Sequence, residues 1–457
     1  MYLFDEYWFH TELKTVVLKA MDIKLEEKQE GRFMRILVFS QAAWNTTNSF
    51  GNTFTNWFDG WNDVHFFHFY ARHQKPNTNI VEMYYNVSAI EILKKGFVGK
   101  QAGRILTTVE VDESAKMQTI EQAQITKLHN GSHEIVYWAM ERVWLSKKWI
   151  NKTFDEFVEY ADPDIIFAYA ANPYILEPAL KHIREKKDVK TVLWIADDVL
   201  AQIDQYAWYR RRYLKKGISY CFSIADKLYG ASIEMCEKYS RTYGKEVTPL
   251  YKGCSFDKPC KERINSPLRL AYAGNLLYGR LDTIKVIINA LKVINSNGCK
   301  AVLEVYSNTP VNLNEKKQLF DDINAFYMGV RPYEEIKGIL NKADIVLHVE
   351  SFEKEQIEAV KYSFSTKIID CLQSGSPVMG IGPSGIASIE YLRKVDGALV
   401  IDDPSYINGA LSDLINEQGS LVDRARDTRE YAIENHEIHR VRQRLHNDFY
   451  DLINHTR

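Results

Sequence analysis

An excess of charge of one sign is missing from this chain. Its 457 residues carry 58 Lys and Arg against 60 Asp and Glu, a formal net charge of −2. The overall balance therefore supplies no cationic footprint for duplex nucleic acid, whose binding depends on neutralising phosphates. Cysteine is scarce as well: Cys221, Cys236, Cys254, Cys260, Cys299 and Cys371 make no CxxC pair. That argues against a disulfide scaffold or a zinc cluster and makes a reducing cytoplasm the expected compartment. Gly and Pro, at 23 and 12 residues, are too few for a fibrous or low-complexity chain. No apolar run reaches the roughly 18 residues a membrane-spanning helix needs. The opening Met1-Tyr-Leu-Phe-Asp-Glu-Tyr-Trp-Phe-His10 lacks the basic region and cleavage site of a signal peptide. What is present is ordinary for a globular protein, 46% apolar and 26% charged. The length suits two or three domains. Aromatics are abundant, with 27 Tyr and 21 Phe, a composition that suits polar ligands with flat apolar faces.

Residues 1–33 read as a separate extension. An aromatic and apolar block through Val17 is followed by a highly charged run from Lys24 to Glu30. A packed helix, a membrane-surface contact over 1–20, or an upstream start to a protein beginning functionally at Met34 are all open readings. From Arg35 short apolar runs alternate with amphipathic stretches. Strands are expected at Val64–Tyr70, Ile165–Ala170, Thr191–Ile195 and Cys221–Ile224. After a break at Lys258–Arg263 a second series follows, at Leu268–Ala273, Ala301–Tyr306, Ile345–Val349, Pro377–Ile381 and Ala398–Ile401. Helical segments such as Leu281–Ile294, Pro332–Leu340 and Ile386–Arg393 lie between them. Alternation of this kind predicts parallel sheets covered on both faces. The expected plan is a Rossmann-like domain over 34–257, a second over 264–420, and a charged helix over 421–457 returning to the first.

Several motifs carry chemistry. Gly380-Ile-Gly382-Pro-Ser-Gly385, with Asp402 beyond it, spells the dinucleotide fingerprint, but at least three strands of its domain precede it, whereas the fingerprint belongs to the first strand–helix turn. A plain turn or another phosphate-lining loop is the better reading. In Leu268–Gly274-Asn275…Gly279-Arg280 a strand ends in Gly-Asn and a helix opens with Arg, placing a bidentate cation beside free backbone N–H groups, as a diphosphate requires. Downstream, Lys367 and Asp370 share one face at the start of a helix. They could offer a cation to phosphate and a carboxylate to ribose, or be ordinary solvated residues. Asp197 and Asp198 close a strand in the first half, where ligands bind in open α/β sheets. They could orient or deprotonate a hydroxyl, or cap the Val199–Gln205 helix. No cation cage is legible, and metal ligation is not expected. His436 and His439 read as solvated. Trp208–Lys216 is a dense basic run interleaved with aromatics, either a solvated helix face or a contact for anionic lipid.

Together these blocks resemble the retaining glycosyltransferases of family four, which have the two-domain GT-B fold, and most of all their bacterial capsule and exopolysaccharide members. The likeness rests on Tyr272-Ala-Gly274-Asn275…Gly279-Arg280, Met328-Gly-Val330-Arg331-Pro-Tyr-Glu334-Glu335, Ala343-Asp344 and Ser365-Thr-Lys367-Ile-Ile-Asp370…Gly375-Ser-Pro377. Met34–Ser40, the Asn48–Asn52 loop and Ala225–Ser232 support it. The resemblance implies two Rossmann-like domains facing each other across a cleft, with Arg280 and Lys367 on the diphosphate and Asp370 on the ribose. Asn275 would lie beside the donor, the backbone of Val330 and Arg331 would face the base, and Gly51 would let a first-domain loop approach the phosphate. Asp197 and Asp198 would serve the acceptor. The family's paired glutamates fall at Tyr362 and Asp370, so the second is conservatively replaced and the first is lost, with Glu350 and Glu358 nearby. The implied activity is metal- and cofactor-independent transfer of a sugar, with retention, from a nucleoside-diphosphate sugar to a glycan or lipid-linked glycan. Such an enzyme would be cytoplasmic, at the inner face of the membrane. A nucleotide-sugar epimerase of the same fold and a non-catalytic nucleotide-binding partner protein are the alternatives.

Overall fold

The computed structural model describes residues 33–72, 74–107 and 134–454, so the expected extension over 1–33 lies outside it except for Phe33. The chain forms two compact units. The first comprises the described residues up to Ile195, Val199–Tyr229 and those from Leu445 onward, the second Ala196–Asp198 and Gly230–Arg444.

Eight strands make the first sheet: β1 (Met34–Ser40), β2 (Val64–Tyr70), β3 (Val81–Asn86), β4 (Arg104–Thr107), β5 (Ile165–Tyr169), β6 (Lys190–Ile195), β7 (Lys227–Gly230) and β8 (Val247–Pro249). Their order is β4-β3-β2-β1-β5-β6-β7-β8. β1 is buried along its whole length, the signature of a parallel strand covered on both faces. It pairs in parallel with β2 and β5, whereas β4 runs antiparallel to β3. The aromatic richness is largely spent here on packing. Trp44, Phe54, Phe58, Phe66 and Phe167 form edge-to-face and tilted contacts, and Phe449 of the C-terminal helix joins them 5.9 Å from Phe167.

The second sheet holds β9 (Leu268–Ala273), β10 (Ala301–Tyr306), β11 (Ala325–Gly329), β12 (Ile345–Val349), β13 (Val378–Ile381) and β14 (Leu399–Ile401). Its order is β11-β10-β9-β12-β13-β14, and every pairing is parallel. The chain winds outward from β9 in one direction, then returns to β12 and winds the other way. This creates a switch point outside the carboxyl ends of β9 and β12, where ligands bind in such folds. Ile284, Ile287, Ile288 and Leu291 of the Arg280–Ile294 helix share a buried core with Leu268, Leu270, Leu303 and Val305 of the sheet.

Four expectations need correction. Cys221–Ile224 is no strand but the end of a helix spanning Trp208–Ile224. Its buried residues Leu214, Gly217, Ile218, Cys221 and Phe222 follow a helical period, and the strand begins at Lys227. The expected final helix is two helices, Gly419–His436 and Ile438–Asn454. They break at Glu437, where Cys254 N donates to His436 O and Ile438 N to Cys254 O. His436 is fully buried between the Lys252 carbonyl and the Tyr391 hydroxyl rather than solvated, and burial lowers its pKa to about 4. Within the basic run, Arg210 is buried and ion-paired to Glu141 and Glu134.

Candidate functional site

At the carboxyl edge of the second sheet lies a cavity of about 540 Å³, within the range of small-molecule sites. Its wall includes Gly274, Asn275, Val330, Arg331, Lys367 and Asp370. Residues separated by almost a hundred positions in sequence thus converge on one hollow. They come from the ends of β9 and β11 and the start of the Lys367–Gln373 helix.

Local backbone explains the convergence. After β9 the chain turns through Tyr278 and Gly279, both at positive φ, before the Arg280–Ile294 helix starts. A Cβ on Gly279 would lie 2.3 Å from Ser351 Oγ, and its φ is +70°, so glycine is required on both counts. No side chain caps that helix, and its positive end follows directly on the carboxyl end of β9. Gly274 has a similar task. A Cβ there would fall 2.7 Å from Lys367 Nζ, so the missing side chain is what admits the lysine head against the loop.

Arg280 does not stand alone. Its Nε and Nη2 donate to Glu350 Oε2 and Oε1 at 3.0 and 3.1 Å, and its Nη1 donates to Asn275 Oδ1 at 2.7 Å. That fork uses three of the five N–H donors of a guanidinium and fixes its plane. Glu350 is 2% exposed. Burial opposes its ionisation, yet His348, 3.3 Å away, and Arg280 together hold its carboxyl below the ordinary value. In the sequence nothing separates Glu350 from Glu358 except that Glu350 directly follows an apolar strand. Its partnership with Arg280 was not readable.

Burial, and then Arg280, lower the pKa of Lys367 to about 8. The ammonium is poised to gain from a bound anion. Asp370 accepts from the Tyr333 hydroxyl at 2.7 Å and Gln373 Nε2 at 3.2 Å, both on Oδ1. Its Oδ2 has no hydrogen-bond partner among the described residues. Burial pushes this carboxyl above the usual range despite Tyr333 and the nearby lysines. Val330 is 66% exposed at the cavity rim, and Arg331 donates to its carbonyl.

Asp197, Asp198 and Gly51 are not among the residues that line this cavity. Asp198 accepts from the Tyr239 hydroxyl at 3.1 Å and is ion-paired with Lys238, whose Nζ also lies 4.4 Å from the Tyr362 ring. Asp197, beside it, is exposed. Gly51 lies in the first turn of the Ser49–Phe58 helix, where its N–H donates to the Asn48 side chain at 2.8 Å. A Cβ there would come within 2.1 Å of Asn45 O, so its smallness serves the packing of its own loop. In the fingerprint-like turn, Gly385 N donates to Glu390 at 2.8 Å and Asp402 accepts from Ser384 and Arg393. These polar groups close the turn on itself. Among the described residues no group of three or more His, Cys, Asp or Glu is placed to hold a metal ion, and no helix is long and apolar enough to cross a membrane.

No protein-family profile matches the sequence, and no curated protein matches it. Solved structures do match in three dimensions. HepE of Anabaena, determined with UDP, is 9% identical with a TM-score of 0.62, the match covering 92% of this chain and 100% of that one. Sucrose-phosphate synthase of Thermosynechococcus elongatus is 10% identical with a TM-score of 0.58, over 92% and 99%. WaaG, a glycosyltransferase involved in lipopolysaccharide biosynthesis, is 11% identical with a TM-score of 0.50, over 92% and 99%. With its two parallel-dominated sheets, the chain has the fold of the GT-B glycosyltransferases.

Proposed function

We propose that this chain is a glycosyltransferase that takes a sugar from a nucleoside-diphosphate sugar held in the cavity of the second unit. One observation carries the reading: Asn275, Lys367, Asp370, Val330 and Arg331 line one nucleotide-sized hollow at the β9–β12 switch point, with Arg280 anchored to Asn275 at its edge. In this reading Lys367 and the two remaining donors of Arg280 bind the diphosphate, and the open oxygen of Asp370 accepts from the ribose hydroxyls. The base lies along the Val330–Arg331 rim. As the sugar leaves, negative charge grows on the diphosphate. Two cations already fixed in a partly dry site stabilise that charge without reorganising, which is how such groups accelerate transfer.

The finer parts of the proposal follow the resemblance. The sugar is a hexose, configuration is retained, neither metal nor cofactor takes part, and the acceptor is a glycan or lipid-linked glycan of a bacterial surface polysaccharide. Work at the inner face of the cytoplasmic membrane completes it. Asp197 and Asp198 are offered to the acceptor. Replacing each by Asn tests that role, since Asn caps a helix as well as Asp does. Transfer lowered roughly 100-fold in at least one variant with nucleotide affinity intact supports it, and full transfer in both rejects it. Turnover of a nucleotide sugar with no acceptor, or binding with neither transfer nor donor hydrolysis, would replace the whole proposal by the epimerase or the binding-protein reading.

A further inference from the structure

The basic run of the sequence divides between two faces of the Trp208–Ile224 helix. Tyr206, just before it, with Arg210 and Leu214 on it, turns inward onto a second cavity, of about 300 Å³, in the first unit. Trp208, Arg211, Arg212, Lys215 and Lys216 recur at helical spacing on the outer face. Trp208 is 76% exposed, and the helix contains no Asp or Glu. Beside it the Glu134–Leu145 helix repeats the division. Tyr137, Glu141 and Trp144 line the same cavity, while Ile135, Trp138 and Arg142 are exposed.

The two outer faces are continuous. The Trp138 ring packs edge-on to Tyr209 at 6.4 Å, and Tyr209 in turn meets Trp208 at 5.9 Å. The Arg142 guanidinium lies 5.5 Å from the Trp138 ring and 4.5 Å from Tyr213. Among the described residues, Asp204 is engaged with Lys215 and Glu134 with Arg210. Arg212 and Lys216 have no ion-pair partner among the described residues. In a chain of net charge −2 this is a local concentration of cations, and it is mixed with large exposed rings. Cations alone would suit any polyanion. Exposed Trp and Ile beside them suit a surface that is anionic outside and apolar just beneath.

We propose that the outer faces of the Glu134–Leu145 and Trp208–Ile224 helices form one docking surface for an anionic lipid bilayer. Arg211, Arg212 and Lys216 meet the head groups, and Trp208 and Trp138 enter the interfacial layer. The surface deepens the reading above, resting on it only for the purpose of docking: a lipid-linked acceptor would then be reached from the membrane plane, by a unit whose second cavity lies directly behind the same two helices.

Co-sedimentation of the full chain with vesicles tests it, using phosphatidylcholine alone and phosphatidylcholine with about one third phosphatidylglycerol. Binding is expected only to the anionic vesicles and weakens as salt is raised. Each cation near the surface contributes about 1 kcal/mol, roughly five-fold, so Arg211→Gln with Arg212→Gln and Lys216→Gln should lower partitioning about 100-fold. Trp208→Ala should lower it several-fold. Nucleotide affinity, measured by calorimetry on the same variants, should stay unchanged, which shows that they are folded and keeps this test separate from that of the donor site. Equal binding to neutral vesicles, or unchanged partitioning of the triple variant, overturns the proposal. Loss in the triple variant with no effect of Trp208→Ala, together with equally tight binding to heparin, overturns it in favour of a soluble polyanion.

Discussion

Arg280, paired with Glu350, is held by the fold and, in the proposed reading, also serves the diphosphate. The guanidinium is forked onto a carboxylate that is itself almost fully buried. Arg280→Ala therefore has two expected effects. Loss of a charge-assisted contact should weaken nucleoside-diphosphate binding by about 1.5–3 kcal/mol, read by calorimetric titration. Stranding the buried Glu350 should also destabilise the fold by about 3–5 kcal/mol, read by chemical denaturation. Lys367→Ala should show the first effect with little of the second, because among the described residues no carboxylate is ion-paired with the lysine. Lys367 also sets a pH dependence. Its folded pKa of about 8 lies below the ordinary lysine value, and a diphosphate favours the protonated form. Affinity should therefore hold below pH 8 and fall as pH rises through it, and Lys367→Arg should flatten the profile. A profile that stays flat in the wild type through pH 9 would remove Lys367 from the phosphate. The convergence of Lys367, Asp370 and Asn275 on one cavity was legible in the sequence because each stands at a strand end or helix start, where topology brings such positions together. Glu350 could not be ranked. The contact that gives it meaning joins residues 70 positions apart, and no periodicity spans that distance.

Between residue and molecule, the turns decide which side chains meet. Gly279→Ala should destabilise the protein by about 1–3 kcal/mol, since it places a Cβ at positive φ and against Ser351. It should weaken nucleotide binding as well, because the start of the Arg280 helix must shift. Gly51→Ala should behave differently. The new Cβ meets the Asn45 backbone, so the melting temperature should drop while nucleotide affinity stays unchanged. A selective loss of nucleotide affinity without loss of stability would return Gly51 to the phosphate. Predominantly apolar strands such as β9 and β12 were readable from the sequence. β11 was not, since Ala325-Phe-Tyr-Met-Gly329 is a short, half-buried edge strand, and four apolar residues are too few to fix a period. The apolar end of the Trp208–Ile224 helix was mistaken for a strand because four residues are too few to distinguish a period of 2 from one of 3.6.

Across the whole molecule, the alternation of strands and helices was enough to predict two parallel-dominated sheets. The strand order of the second then dictates where its cavity lies: one path winds outward from β9 and the other, in the opposite direction, from its neighbour β12, and the polar residues gather where those two paths part. The aromatic abundance had suggested ligand faces, yet much of it fills the interior of the first unit, where rings satisfy the volume a wide sheet must bury. The claim that unites these observations is that the second unit is built to hold a nucleoside-diphosphate sugar. Its most direct test is a thermal-shift titration with UDP, GDP, CDP, dTDP and their sugars on the wild type and on Lys367→Ala. Saturation at about 100 times Kd adds about 2.7 kcal/mol of stability. At least one nucleotide should therefore raise the wild-type melting temperature by several degrees, and the same concentration should do markedly less in the variant. No shift with any nucleotide, or an equal shift in both proteins, would contradict the account.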